Sequence, residues 1–156
     1  MPDEASIAVT ASDYRRSLRT LFAQGTGRTF PRKRREQGIF LHALWREVAP
    51  REPTGERAVS ERIFCWLMTV GQNFAVDAVT LRRALCDDGF LERDPAGSAY
   101  RSSRRFERLF SFDAEVAAID VTGVVEEDRA AVRSAALLHR VDVPGRSPDA
   151  RPAPDR

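Results

Sequence analysis

Residues Phe74 to Arg101 read Phe-Ala-Val-Asp-Ala-Val-Thr-Leu-Arg-Arg-Ala-Leu-Cys-Asp-Asp-Gly-Phe-Leu-Glu-Arg-Asp-Pro-Ala-Gly-Ser-Ala-Tyr-Arg. Asp77 is a good N-cap, because its carboxylate can accept from the unpaired N–H groups of a first helical turn. The helix it opens is predicted over Ala78 to Asp88, and Gly89 suits the left-handed residue that closes a helix. Phe90 to Arg93 and Ser98 to Arg101 then read as two short strands. Between them, Asp94-Pro95-Ala96-Gly97 fits a type I turn, with Asp first, Pro second and Gly last. A helix followed at once by a hairpin is the second half of a winged helix-turn-helix, whose recognition helix enters a DNA major groove.

Upstream, Gly55 to Met68 is predicted as a helix, with Val59, Ile63, Trp66, Leu67 and Val70 as its apolar stripe. Gly71-Gln72-Asn73 supplies the turn, and Pro50 to Thr54 reads as a linker. A further helix is expected over Arg32 to Val48, with Ile39, Phe40, Ala43, Leu44 and Val48 on its core face. Pro31 stands at its start, where a missing N–H costs nothing. Its first turn, Arg32-Lys33-Arg34-Arg35, opposes the helix dipole. Such a run calls for either a phosphate partner or an acidic patch elsewhere in the chain. Ser12-Asp13 is placed as the cap of a short helix, Tyr14 to Gln24, with Leu18, Leu21 and Phe22 on one side.

The fold class that follows is mainly α with a small β-hairpin: a winged helix-turn-helix core with extra N- and C-terminal helices. The expected organisation is a disordered leader over 1–11, the domain over 12–108, an acidic helical extension over 109–142 and a disordered tail over 143–156. The extension carries six acidic residues and no basic one between Asp113 and Asp128. A helix is expected from Glu126 to His139. The acidic segment is a candidate to fold over the basic surface, as a brace or as a mask that DNA displaces.

The chain has 156 residues, enough for one domain of ordinary size. Its formal charge is +2, unevenly spread. Residues 28–108 hold 16 Lys+Arg against 11 Asp+Glu, a net of +5, while the flanks hold 9 against 12, a net of −3. A basic centre favours polyanionic partners. Only one Lys accompanies 24 Arg, a skew that reads as GC-rich coding, so raw Arg counts carry little weight. Cys65 and Cys86 fall among apolar neighbours in predicted helices and read as buried free thiols of a reduced, cytoplasmic protein. No apolar run is long enough to span a bilayer, and the first residues lack the pattern of a signal peptide.

Three sets of residues carry a family likeness. They are Phe30-Pro31-Arg32-Lys33, then Leu81-Arg82-Arg83-Ala84-Leu85, and lastly Gly89-Phe90-Leu91-Glu92-Arg93-Asp94 with Gly97-Ser98-Ala99-Tyr100-Arg101. On these, the block from Phe30 to Arg101 resembles domain-of-unknown-function family 2087, a small bacterial module. The resemblance implies a winged-helix-like fold, alone or joined to DNA-binding regulator domains, and no established activity.

The functional expectation is double-stranded DNA binding by a transcriptional regulator. With Leu81 and Leu85 inward, Thr80, Arg83 and Asp87 face out and Arg82 lies on the flank. Thr80 and Arg83 are the candidates for base edges or phosphates, with Arg82 either beside them or paired to a neighbouring carboxylate. Arg32, Lys33, Arg34 and Arg35, with the wing residues Arg93 and Arg101, are the candidate phosphate contacts, and Arg104 and Arg105 lie just beyond. Dimerisation through a terminal helix would double the site. The alternative is a protein-interaction module whose terminal helices dock a partner. An enzyme is not expected. His42 and His139 are isolated, no zinc spacing joins the cysteines and histidines, and Gly25-Thr26-Gly27 lacks a phosphate-loop context. No cofactor is implied.

Overall fold

The computed structural model describes residues 5–141. Five helices dominate it: α1 (Ala11–Phe22), α2 (Arg34–Val48), α3 (Glu56–Leu67), α4 (Ala78–Asp87) and α5 (Val121–Val141). Five short strands complete it: β1 (Ile7–Val9), β2 (Thr54–Gly55), β3 (Leu91–Arg93), β4 (Ala99–Ser102) and β5 (Phe110–Phe112). Short 3-10 turns at Arg105–Arg108 and Ala114–Ala118 link the last elements. The chain is therefore mainly α with small sheets.

α2 is the centre of the molecule. Its sequence predicts one apolar face, yet Leu41 and His42 are buried along with Ile39, Phe40, Ala43 and Leu44. The reason is that the helix is covered on opposite sides. Phe40 meets Phe22, Trp66 and Phe74, with ring centroids 4.8–5.4 Å apart. His42 instead stacks on Phe112 at 4.1 Å and lies near Phe106 at 5.8 Å. Gly38 permits a close approach by a ring of the last strand. A Cβ placed there would sit 2.4 Å from the Phe110 ring.

The hairpin forms where the sequence places it. Asp94 organises its turn, accepting from Ser98 N at 2.7 Å and Ala99 N at 3.1 Å, while Gly97 N donates to Asp94 O at 2.9 Å. These amide donors, Ala99 foremost, hold the Asp94 carboxyl below the ordinary range. β3 and β4 pair antiparallel, and β2 adds to the other edge of β4, giving the order β2-β4-β3. Thr54, read as the end of the linker, and Gly55, read as the first residue of the following helix, therefore form a strand, a pairing too short to leave a periodic signal. At the other end of α4, Gly89 adopts φ +79° and packs its Cα against Arg105 and Phe106.

Several expectations about the flanks are corrected. Residues 7–9 lie in the stretch read as a disordered leader, but they pair in parallel with β5, Ile7 opposite Phe110. α1 begins at Ala11 under a Thr10 cap whose hydroxyl accepts from Asp13 N at 3.0 Å, rather than under Ser12-Asp13. The region beyond 108 is not a separable extension. Phe110, Val116, Ile119, Val121 and Val125 are buried in the same core as α1 and α2. α5 starts five residues before the expected Glu126 and packs on α1. Residues 1–4 and 142–156, which hold the rest of the expected leader and tail, lie outside the described residues.

The acidic segment makes its contacts away from α4. Asp113 accepts from Ala11 N at 3.3 Å, Asp120 caps α5 through Gly123 N, and Asp128 pairs with Arg19 at 3.0 Å. It braces α1 and α5. Arg129, buried beside it, donates to the carbonyls of Phe22, Thr69 and Val70 and so satisfies acceptors at and just past the C-terminal ends of α1 and α3.

Candidate nucleic-acid interface

α4 is held at both ends and along one side. Asp77 Oδ1 accepts from Thr80 N at 2.7 Å, which fixes the helix start and lowers the Asp77 pKa. Leu81 and Leu85 are buried. Arg82 lies on the flank facing α3, where it is buried rather than free. Its guanidinium donates to Glu56 Oε1 at 2.9 Å and to Ser60 Oγ, and rests 5.7 Å from the Tyr100 ring. This corrects Arg82 as a nucleic-acid contact. It ties α4 to α3 and the hairpin.

The basic run before α2 also divides. The helix begins at Arg34, so Arg32 precedes it and Lys33 is its cap residue; both are exposed. Arg34 makes a two-point contact with Asp88, 2.6 and 2.8 Å, and its guanidinium lies 5.1 Å from the Phe110 ring. Arg35 reaches Asp13 at 3.7 Å. Positive charge set against the dipole of α2 is thus answered, for these two, by carboxylates of α1 and of the residue capping α4. Arg34 and Arg35 thus each have a carboxylate partner within the chain while their side chains stay partly exposed.

The wing divides likewise. Arg93 folds over its own turn, donating to Gly97 O at 3.0 and 3.2 Å, and sits 5.8 Å from the Tyr100 ring. Arg101 is exposed on the outward face of the hairpin, directly across from Glu92. Beyond it, Arg104 pairs with Glu107 while Arg105 is exposed.

What remains outward on α4 is Val79, Thr80, Arg83 and Asp87. Among the described residues, Arg83 takes part in no ion pair. The Arg34–Asp88 contact puts Arg32 and Lys33 near the C-terminal end of α4, about 12 Å along the helix from Thr80. Arg93 and Glu56 place the hairpin alongside α3 and the middle of α4. Five of the expected contact residues, Arg32, Lys33, Thr80, Arg83 and Arg101, are therefore exposed, with Arg101 on the hairpin face opposite the buried Tyr100.

Two features were missed in the sequence. Phe64 and Met68 on α3 are 57% and 63% exposed, and Val79 on α4 is 42% exposed. The signal was present: Phe64 and Met68 lie about 100° or more from the Val59–Ile63–Trp66 stripe. Cys65, read as buried, is exposed for the same angular reason, while Cys86 is half-buried. A groove of about 520 Å³ opens between α2, α3 and α5, lined by Trp66, Glu47 and Cys65 among others, but by none of the expected site residues.

His42 has a packing role. Its Nδ1 lies 2.9 Å from the Tyr14 hydroxyl, and burial, with Arg46 and Arg104 nearby, pushes its pKa down to about 3. Burial also raises the Tyr14 pKa. Among the described residues, no group of three or more His, Cys, Asp or Glu side chains is placed to hold a metal, and no helix is long and apolar enough to cross a membrane.

Residues 28–102 match the family described as "Uncharacterized protein conserved in bacteria (DUF2087)". This agrees with the resemblance over Phe30 to Arg101. No curated protein and no solved structure matches the chain.

Proposed function

Since residues 28–102 belong to the DUF2087 family, whose description names no activity, we propose from the geometry that this chain is a winged helix-turn-helix protein that binds double-stranded DNA and regulates transcription. The order α2-β2-α3-α4-β3-β4, with the sheet order β2-β4-β3, supports the winged-helix reading. In it, α4 is the recognition helix and the turn at 94–97 is the wing tip. The observation that carries the functional reading is the asymmetry of α4. Arg82 on its flank, bound to Glu56, and Asp88 at its C-cap, bound to Arg34, fasten the helix to the fold, while Thr80 and Arg83 are left outward.

In this account Thr80 and Arg83 reach base edges, where an Arg fork pairs best with guanine. Arg32, Lys33 and Arg101 hold phosphates and set the register. Asp87 lies on the same outward face as Thr80 and Arg83, near the C-terminal end of the helix, where Arg32 and Lys33 offset its charge toward a phosphate backbone. Three phosphate contacts give a slope of about −3 in log affinity against log salt. Fluorescence anisotropy of a labelled random duplex across a salt series tests this. Salt-dependent binding that Arg83→Ala weakens is expected. No binding at low salt would remove DNA as the partner.

A second reading has its own observation. Phe64, Met68 and Val79 put exposed apolar side chains on the two helices that would approach DNA. Such side chains fit a protein partner better than a phosphate backbone. If DNA fails, this surface makes the chain an interaction module, and Phe64→Ser with Met68→Ser would abolish capture of its partner while Arg83→Ala would not.

A further inference from the structure

α5 enters the core through Val121 and Val125, and Asp128 and Arg129 are still buried. From Ala130 to Val141 every residue is exposed. This overhang is about 18 Å long, and a helix so short is marginal in water without packing. At 100° per residue, Ala130, Ala131, Ser134, Leu137, Leu138 and Val141 fall within one arc of about 120°. The arc points away from the side on which Val121, Val125 and Arg129 enter the core. Leu137 and Leu138 are 62% and 72% exposed there.

We infer that this arc is the interface of an antiparallel homodimer, its occupant being the α5 overhang of a second copy. The pattern of sizes argues for this partner. The first half of the arc is small (Ala130, Ala131, Ser134) and the second half is large (Leu137, Leu138, Val141). An antiparallel copy centred on Ser134 sets Leu137 over the partner's Ala131 and Leu138 over the partner's Ala130. Leu137 and Leu138 then fill the space above small side chains on both halves, while Val141 lies at the margin opposite the partner's Glu127. A parallel copy in register would set large on large and small on small.

Charge on the flank agrees. Glu126 and Arg140 lie on the same edge of the arc, two heptads apart. Glu126 already lies 3.5 Å from Arg129 of its own helix, and antiparallel pairing brings its exposed carboxylate beside the partner's Arg140 as well, at both ends of the pair. Arg133 meets its own counterpart at the centre, a solvent-exposed repulsion that added salt relieves. Two such overhangs bury less than a standard interface of about 1,600 Å², so the dimer forms at micromolar rather than nanomolar concentration. The α1 helix does not compete for this role, because Tyr14, Leu18, Leu21 and Phe22 are already buried. The inference does not rest on DNA binding and is tested without DNA.

Sedimentation velocity of the full chain from about 2 to about 200 µM reads the equilibrium directly. A monomer–dimer shift is expected, with Leu137→Glu combined with Leu138→Glu remaining monomeric throughout. Both side chains are exposed, so the thermal midpoint of the core stays unchanged. In a Cys65→Ser, Cys86→Ser background, Ser134→Cys is expected to form a disulfide-linked dimer on oxidation. Ala130→Cys is not, because its counterpart lies about 12 Å further along. A wild-type chain that stays monomeric at the highest concentration overturns the dimer. So does a double-Glu variant that still dimerises. Equal cross-linking at 130 and 134 overturns the antiparallel register.

Discussion

Gly38→Ala is the sharpest probe of how the C-terminal strand is locked to the central helix. In an open helix this change stabilises by about 1 kcal/mol, because Gly is the poorer helix former. Here the new Cβ would lie 2.4 Å from Phe110 Cε1, 2.6 Å from Cδ1 and 2.7 Å from Cζ. Ordinary carbon contacts are about 3.5–4.0 Å, so the ring must retreat by about 1 Å. It has little room: Phe110 is fully buried, with Phe112 and Phe90 at 6.1 and 6.3 Å and the Arg34 guanidinium at 5.1 Å. Overpacking of this kind costs about 1–3 kcal/mol, and more when backbone must shift. With the overlap spread over three ring atoms, about 3 kcal/mol less the 1 gained leaves a net loss near 2 kcal/mol. For a domain of this size the thermal midpoint falls by about 4–8 °C. A double-mutant cycle with Phe110→Leu, read by urea denaturation, should show the two changes compensating by more than about 1 kcal/mol. A Gly38→Ala protein more stable than wild type would refute the packing argument.

Other expectations follow from the same contacts. Arg82→Ala removes a largely buried guanidinium and its bonds to Glu56 and Ser60, and should cost about 1–2 kcal/mol in urea denaturation; Arg83→Ala should stay within about 0.5 kcal/mol. Equal losses from the two variants would contradict their opposite placement. Gly89→Ala forces a side chain into φ +79° with its Cβ 2.8 Å from Arg105 Cβ, and should lower the thermal midpoint by more than an ordinary Gly→Ala change costs. His42 stays neutral in the folded protein down to about pH 3 but takes up a proton near pH 6.5 when unfolded. Its contribution is therefore intact above pH 6.5 and declines as pH falls towards 3, by up to about 1.4 kcal/mol per unit. His42→Gln should flatten the stability profile between pH 6 and 4 relative to wild type, as followed by thermal melts; an unchanged slope would argue that the ring is hydrated.

Much of the fold was legible because short-range chemistry specified it. Asp77, Gly89 and the Asp94–Gly97 turn each satisfy a local backbone requirement, and each stands where the sequence places it. The apolar stripe Val59–Ile63–Trp66 was legible for the same reason. What the sequence did not yield was long-range. β1 pairs with a strand about a hundred residues away, and neither partner is long enough to show alternation. The burial of Gly38 to Leu44 on every side of α2 depends on cover from both ends of the chain, which a helical periodicity cannot report. In the candidate interface, exposure of Thr80 and Arg83 followed from helix geometry alone. The fate of Arg34 and Arg82 did not, because it depends on Asp88 and Glu56 arriving from elsewhere, and that of Arg93 depends on its side chain folding back onto the Gly97 carbonyl of its own turn. Run-counting of basic residues treats a braced guanidinium and an open one alike.

The central claim, that α4 presents Thr80 and Arg83 to DNA, is tested most directly by backbone amide NMR of the full chain titrated with a random duplex at low salt. The account predicts shifts concentrated on Val79 to Asp87, with smaller ones at Arg32, Lys33 and Arg101, and with α1 unmoved. Shifts confined to the Ala130–Val141 overhang, or none at all, would contradict it.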